Sequence, residues 1–338
     1  MTKTIGIAMA ALLAAAAAEI DPARLKTFRP LPEVMPSAKN PITEAKVTLG
    51  RLLYYEPRLS KNHDVSCNSC HSLTGYGVDQ QPLSDGHKGL KGSRNAPTVY
   101  NAAGHVAQFW DGRAPDVEEQ AKGPVMNPVE MAMTSDKAVV AVLKSMPEYV
   151  ATFKKAFPGQ ADPVTFDNMA KAIGAFERKL VTPSRWDKLL KGDKSALTDQ
   201  EKAGFNKFVE VGCASCHRGT LLGADSYQRL GLVKPWTHTS DLGRYAVTKK
   251  GTDKLVFKVP SLRNIEKTGP YYHDGSVKTL EDAVRLMAEY QNGKQLKPEE
   301  IQSIVTFLKT LTGQIPLEYV KQPVLPKSTA ATPKPDPS

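Results

Sequence analysis

The sequence predicts a mainly α-helical chain built as two similar domains. Three observations carry that prediction: helical periodicity along most of the chain, one pentapeptide that occurs twice, and blocks repeated at equal spacing beside it. The 338 residues are enough for two domains of ordinary size. Hydrophobic content of 41% and charged content of 24% are normal for a globular protein. Apolar residues recur at helical spacing from Ile42 to Tyr54, Lys137 to Phe157 and Phe166 to Leu180. Thr198-Asp199-Gln200-Glu201 opens a further helix with a hydroxyl cap and an acidic first turn. Thr279 to Tyr290 and Lys297 to Leu311 begin with a hydroxyl cap and with Pro-Glu-Glu. Strand signals are nearly absent; a short hairpin around Tyr245 to Lys258 is the one candidate. Thr182 to Lys194 reads as an inter-domain connection. Residues 323–338, rich in Pro, Ser, Thr and Ala, read as an extended or disordered tail.

The repeated pentapeptide uses all four cysteines. It is Cys67-Asn68-Ser69-Cys70-His71 and, 146 residues later, Cys213-Ala214-Ser215-Cys216-His217. C-x-x-C-H is the attachment signal for c-type haem. The two thiols bond the porphyrin, and the histidine ligates the iron as proximal ligand. A zinc or disulfide pair is the rival, since Cys and His also bind zinc. It does not explain why a histidine follows the second cysteine both times. The expectation is two covalent haems in two cytochrome c-like domains related by duplication.

The flanking blocks support duplication. Ala96-Pro97-Thr98-Val99-Tyr100-Asn101 parallels Val259-Pro260-Ser261-Leu262-Arg263-Asn264. Phe109-Trp110-Asp111-Gly112 and Tyr272-His273-Asp274-Gly275 follow at the same distance, then Glu118-Glu119 and Glu281-Asp282. Chance recurrence of turn residues is the bland alternative, but three blocks at equal spacing weigh against it. The expected domains are 19–181 and 182–322.

The N-terminus carries Lys3, then apolar or small residues from Ile5 to Ala18, then Glu19. That is a secretory signal peptide over residues 1–18, too short to span a bilayer. Export fits the cysteines, because c-type haem is attached outside the bacterial inner membrane. The mature chain is therefore expected in the periplasm, without a membrane span. The net charge of +10 is spread along the chain, with no basic run and no nucleic-acid motif. It reads as solvated surface that can also steer an acidic partner.

Gly86-His87-Lys88-Gly89, Arg94-Asn95-Ala96-Pro97, Gln108-Phe109-Trp110-Asp111-Gly112-Arg113, Val129-Glu130-Met131 and Gly269-Pro270-Tyr271-Tyr272-His273-Asp274-Gly275 resemble the bacterial dihaem cytochrome c peroxidases in order and spacing, from about residue 28 to 325. The resemblance implies an enzyme that reduces H2O2 with two electrons from a small cytochrome c or copper protein. Electrons would enter at the high-potential second haem, ligated by His217 and Met287, and pass to the first, whose proximal ligand is His71. It also implies His87 as a resting sixth ligand of the first haem, Glu130 as catalytic acid–base, Gln120 as a peroxide-binding amide and Trp110 between the haems. Asn95, Thr268 and Pro270 would hold a Ca²⁺ ion between the domains, and the protein would be a homodimer. The repeat aligns Met287 with Pro124, which cannot ligate iron, so the two haems are expected to differ. His63, His105, Met126, Met131 and Met133 are further candidates near the first haem.

Two other readings stay open at this level. One is a dihaem electron carrier without catalysis. The other is the related enzyme class that oxidises protein tryptophan and uses a tyrosine ligand, for which Tyr290 lies close to Met287 in sequence.

Overall fold

A computed structural model describes residues 19–338; the segment read as a signal peptide lies outside the described residues. The first half contains α1 (Glu44–Tyr54), α2 (Val117–Met126), α3 (Asp136–Lys144), α4 (Pro147–Ala156) and α5 (Phe166–Glu177). The second contains α6 (Arg185–Leu190), α7 (Asp199–Val211), β1 (Tyr227–Arg229), β2 (Val256–Lys258), α8 (Leu280–Asn292) and α9 (Pro298–Lys309). Hydroxyl caps start many of these helices. Thr43, Thr165, Thr198 and Thr279 each accept a backbone N–H from the first turn, satisfying a donor that the helix itself cannot pair.

Each half is organised by one helix crossing. In the first, α1 packs on α5; in the second, α7 packs on α9. A glycine sits at each crossing. A Cβ on Gly50 would lie 1.9 Å from the Ala172 carbonyl oxygen, and one on Gly204 would lie 2.1 Å from that of Ser303. Only glycine permits so close a backbone approach. Around the first crossing pack Leu49, Leu53, Tyr54, Ile173 and Phe176. Around the second pack Trp186, Phe205, Phe208 and Phe307, whose rings meet at 5.0 to 5.3 Å.

The two halves repeat one another in backbone conformation 163 positions apart. Asn101 and Asn264 are both left-handed, at φ 62° and 61°; so are Phe109 and Tyr272, at 65° and 70°, and Gly112 and Gly275, at 68° and 63°. The isolated bridges Gln108–Ala114 and Tyr271–Val277 correspond in the same way. The paired asparagines converge on one residue between the halves. Asn101 Nδ2 and Asn264 Nδ2 each donate to Thr182 Oγ1 at 2.9 Å. All three residues are buried.

Four local expectations change. The helix anticipated from Lys137 to Phe157 is two helices. Pro147 starts the second, and Met146 before it is extended (φ −115°, ψ 106°), because proline lacks an N–H and disfavours a helical predecessor. The presumed connection at 182–194 contains α6, with Trp186 fully buried and a Ser184–Asp187 capping box. The hairpin at 245–258 does not form. Tyr245–Thr248 is a helical turn, and β2 pairs antiparallel with β1, residues far from any local turn. Helix α2 was hidden by Gly123 and Pro124, which fall in its last turn. Residues 323–338 run extended along the first half; Arg58 Nη2 donates to Pro326 O at 2.8 Å and Asp336 N to Lys61 O at 2.9 Å.

The crossings give a direct stability prediction. Gly204→Ala destabilises the protein by about 1–3 kcal/mol through overpacking, although alanine is the better helix former. Gly251→Ala, where nothing lies within 4 Å, moves stability by less than about 0.5 kcal/mol. Urea unfolding midpoints of the two variants check both.

Candidate functional site

Two large cavities open in the structure, one at each pentapeptide. The first is lined by Cys67, Cys70 and His71, the second by Cys213, Cys216 and His217. Counting the open space at their mouths, they enclose about 1630 and 1640 Å³. Local geometry presents the ligating groups. Cys67–Cys70 form one helical turn and Cys213–Ser215 a tighter one. In each, the histidine N–H returns to the first cysteine's carbonyl at 2.9 Å. His71 Nδ1 lies 3.3 Å from Gly77 O, and His217 Nδ1 lies 3.0 Å from Leu222 O. Those carbonyls can only accept, so each imidazole proton sits on Nδ1 and the Nε2 lone pair is free for a metal. Burial lowers the pKa of both histidines and keeps them neutral. The four cysteines are unbridged. Burial pushes Cys67 and Cys213 up to about 12 and Cys70 up to about 11. Burial thus keeps these three groups as thiols.

The cavities share a wall. Asn95, Pro97, Thr98, Phe109 and Trp110 line both. Trp110 Nε1 donates to Asn95 O at 2.9 Å, and its ring lies 6.4 Å from that of His273. Arg94 ties the wall to the second half, donating to Asp241 at 2.6 and 2.8 Å and to Asp111 at 2.7 Å.

The remaining predicted residues divide unequally between the cavities. Glu130 and Gln120 line the first, with His71. Burial raises the pKa of Glu130; the Arg113 charge and a 2.8 Å hydrogen bond from Asn127 oppose it but do not win. Met287 lines the second cavity with His217, and Pro124, its counterpart, lines the first. Asn95, Thr268 and Pro270 all line the second cavity. The Asn95 amide nitrogen is committed to Gln81 O at 3.0 Å, and none of the hydrogen bonds among the described residues ends on Thr268 O or Pro270 O. Trp110 lies in the common wall.

His87 is the exception. Ser84, Asp85 and Gly86 reach the first cavity, but the His87 ring does not line it. The residue is buried, with Nε2 3.2 Å from Ser338 O and Nδ1 unpartnered. Its glycine-rich loop is pinned rather than loose. His87 N donates to Glu130 O at 2.8 Å, and Gly86 N to Leu90 O at 2.8 Å. A Cβ on Gly86 would lie 2.0 Å from Val129 O. Of the further candidates, Met131 lines the first cavity and His105 the second; His63, Met126 and Met133 line neither. Tyr290 also lies outside both linings, packed edge-on against Trp236 with ring centres 5.0 Å apart.

Sequence reasoning missed two lining residues. Glu177, at the end of α5, is fully buried on the first cavity, where burial pushes it up to about 8. Lys258, in β2, is buried on the second. For Lys258 the signal was a charge inside the apolar run from Leu255 to Val259; Glu177, heading Glu177-Arg178-Lys179, offered none.

A family model described as di-haem cytochrome c peroxidase matches residues 44–195. The cytochrome c551 peroxidase of Pseudomonas aeruginosa is 48% identical over 314 residues, covering 91% of this chain and 90% of its own. That of Nitrosomonas europaea is 49% identical over 291 residues, covering 86% of each. Among solved structures, a MauG-like protein associated with microbial copper homeostasis superposes with a TM-score of 0.77 at 28% identity, covering 87% of this chain and 97% of that one.

The residues fit the prosthetic group that this family carries. Each cavity offers two thiols, a neutral imidazole with Nε2 free, and apolar walls. With paired thiols and imidazoles in two adjoining cavities, and close relatives matched across nine-tenths of the chain, this protein belongs to the di-haem cytochrome c peroxidase family: a peroxidase, and so an oxidoreductase, that carries two c-type haems.

Proposed function

We propose that the protein reduces H2O2 to two waters in the periplasm, with two electrons from a small cytochrome c or copper protein. The observation that carries this reading is the inequality of the cavities. Glu130 and Gln120 accompany His71, whereas Met287 accompanies His217 and Pro124 takes its counterpart position. When bound, the haems supply the redox chemistry, the Met287-side haem receiving electrons and the His71-side haem meeting peroxide. A thioether ligand favours the reduced iron and suits a receiving site.

The chain's own part is proton movement and positioning. Peroxide O–O cleavage needs a proton moved from one oxygen to the other, and a carboxylate can take it and return it. Glu130 suits this role, being half-buried with its pKa raised by burial. Asn127 holds Oε1 and leaves Oε2 for the substrate. The Gln120 amide can donate to a peroxide oxygen. Trp110, which lines both cavities, would lie between the haems, where it can assist electron transfer. His87 lies off the first cavity, and a gate in which it alternates between a ligating and a withdrawn position requires its loop to break the backbone bonds to Glu130 and Leu90. Asn95, Thr268 and Pro270 offer the oxygen donors that Ca²⁺ prefers. The repeated backbone supports an origin by duplication, and the family resemblance supports a homodimer. Among the described residues no helix is long and apolar enough to cross a membrane. Met287 lines the second cavity and Tyr290 does not, which favours the peroxidase reading over the tryptophan-oxidising alternative.

Two variants test the assignment. Glu130→Gln lowers kcat for peroxide by about 100- to 10,000-fold, with both haems and the Met-ligated spectrum retained; a wild-type rate excludes the proton role. A chain with no peroxide turnover under any donor would instead be an electron carrier. His87→Ala turns over from the fully oxidised state without prior reduction, and its oxidised EPR spectrum gains a high-spin signal from the first haem. A variant that still requires pre-reduction removes the gate.

A further inference from the structure

Lys258 is the buried cation that the fold leaves without a counter-ion. It is 6% exposed, and no carboxylate lies within 4 Å of its ammonium among the described residues. The Nζ partner is His105 Nδ1, at 3.0 Å. An ammonium has only hydrogens to give, so Nδ1 accepts and the imidazole proton sits on Nε2. That Nε2–H is itself buried with no partner. Both side chains line the second cavity, with Cys213, Cys216, His217 and Met287.

The cluster is built, not incidental. Lys258 lies in β2, its backbone N–H fixed to Trp110 O at 2.8 Å. His105 comes from the first half of the chain and reaches the second half's cavity. Other buried cations in the fold are matched: Arg263 by Asp187, Arg178 by Glu118 and Arg58 by Glu56. A buried amine without an anion is strongly unfavourable, and burial pushes Lys258 down to about 8. Two N–H donors on residues that line one largely apolar cavity select an anion that is carried in by an apolar body. A haem held at Cys213 and Cys216 brings such an anion in its propionate side chains.

We propose that Lys258 and His105 together bind a propionate carboxylate of the second haem, Lys258 by charge and His105 through Nε2–H. The inference rests on the haem reading of that cavity. The pair acts as a positioning and tuning device. A cation paired with the propionate offsets its negative charge near the iron and raises the haem's reduction potential.

The test uses the holoprotein, with mass spectrometry first establishing two covalent haems; their absence would defeat the haem reading itself, apart from this inference. In Lys258→Met the midpoint potential of the Met-ligated haem falls while that of the first haem stays. The propionate bending band of the second haem in resonance Raman spectra also shifts. Lys258→Arg restores the potential. His105→Phe, which alters no formal charge, moves the Raman band with a smaller change in potential. Unchanged potential and Raman band in a Lys258→Met protein carrying both haems overturns the proposal. If that variant fails to load its second haem, His105→Phe decides by the Raman band alone: a shift supports the contact and an unchanged band overturns it.

Discussion

One buried hydroxyl holds the two halves in register. Thr182 Oγ1 accepts from Asn101 and from Asn264, which occupy equivalent places in the repeated backbone. Thr182 N donates to Asn101 Oδ1 at 3.1 Å, and Asn264 Oδ1 takes Gly313 N at 2.9 Å. Each of the three side chains is bonded to another part of the fold here, so a displacement of one half against the other would strand buried polar groups. The shared wall inherits its position from this constraint. Asn95, Pro97, Thr98, Phe109 and Trp110 can line both cavities only if the halves meet at a fixed offset. Arg94, bonded to Asp111 on its own side and Asp241 on the other, secures the far edge.

On this symmetric frame the chemistry is asymmetric. The helix crossing, the left-handed asparagine and the cysteine-histidine turn recur in both halves. The residues facing the two proximal histidines do not. Helix α2 presents Pro124 where α8 presents Met287, and the segment after α2 brings Glu130 into the first cavity. A thioether therefore lines one cavity and a partly desolvated carboxylate the other.

Buried charge sorts in the same way. Away from the cavities, buried acids and bases occur as pairs, such as Arg263 with Asp187 and Arg178 with Glu118. On the cavities stand Glu177 and Lys258, both buried and neither with a counter-ion among the described residues. An unpaired buried ionisable group is expensive, and its concentration at cavity surfaces marks where the fold is shaped for something other than its own stability.

The main helices were legible in the chain because their signals are local: apolar periodicity, hydroxyl caps and acidic first turns. The strand pair and α6 were not, since β1 and β2 are distant in sequence and α6 is defined by the core it enters. The cysteine and histidine positions were legible because attachment chemistry demands fixed spacing. Glu177, Lys258 and His105 were not, because a charged residue gains its meaning from burial, which no local pattern encodes. The sequence by itself determined that there are two haem attachment sites and that Met287 and Pro124 make them unequal. Only the tertiary structure decided that the two cavities share a wall, that His87 sits outside the first, and that His105 serves the second. Covalent attachment points are set by neighbours along the chain, whereas walls and buried charges are set by which distant segments the packing brings together.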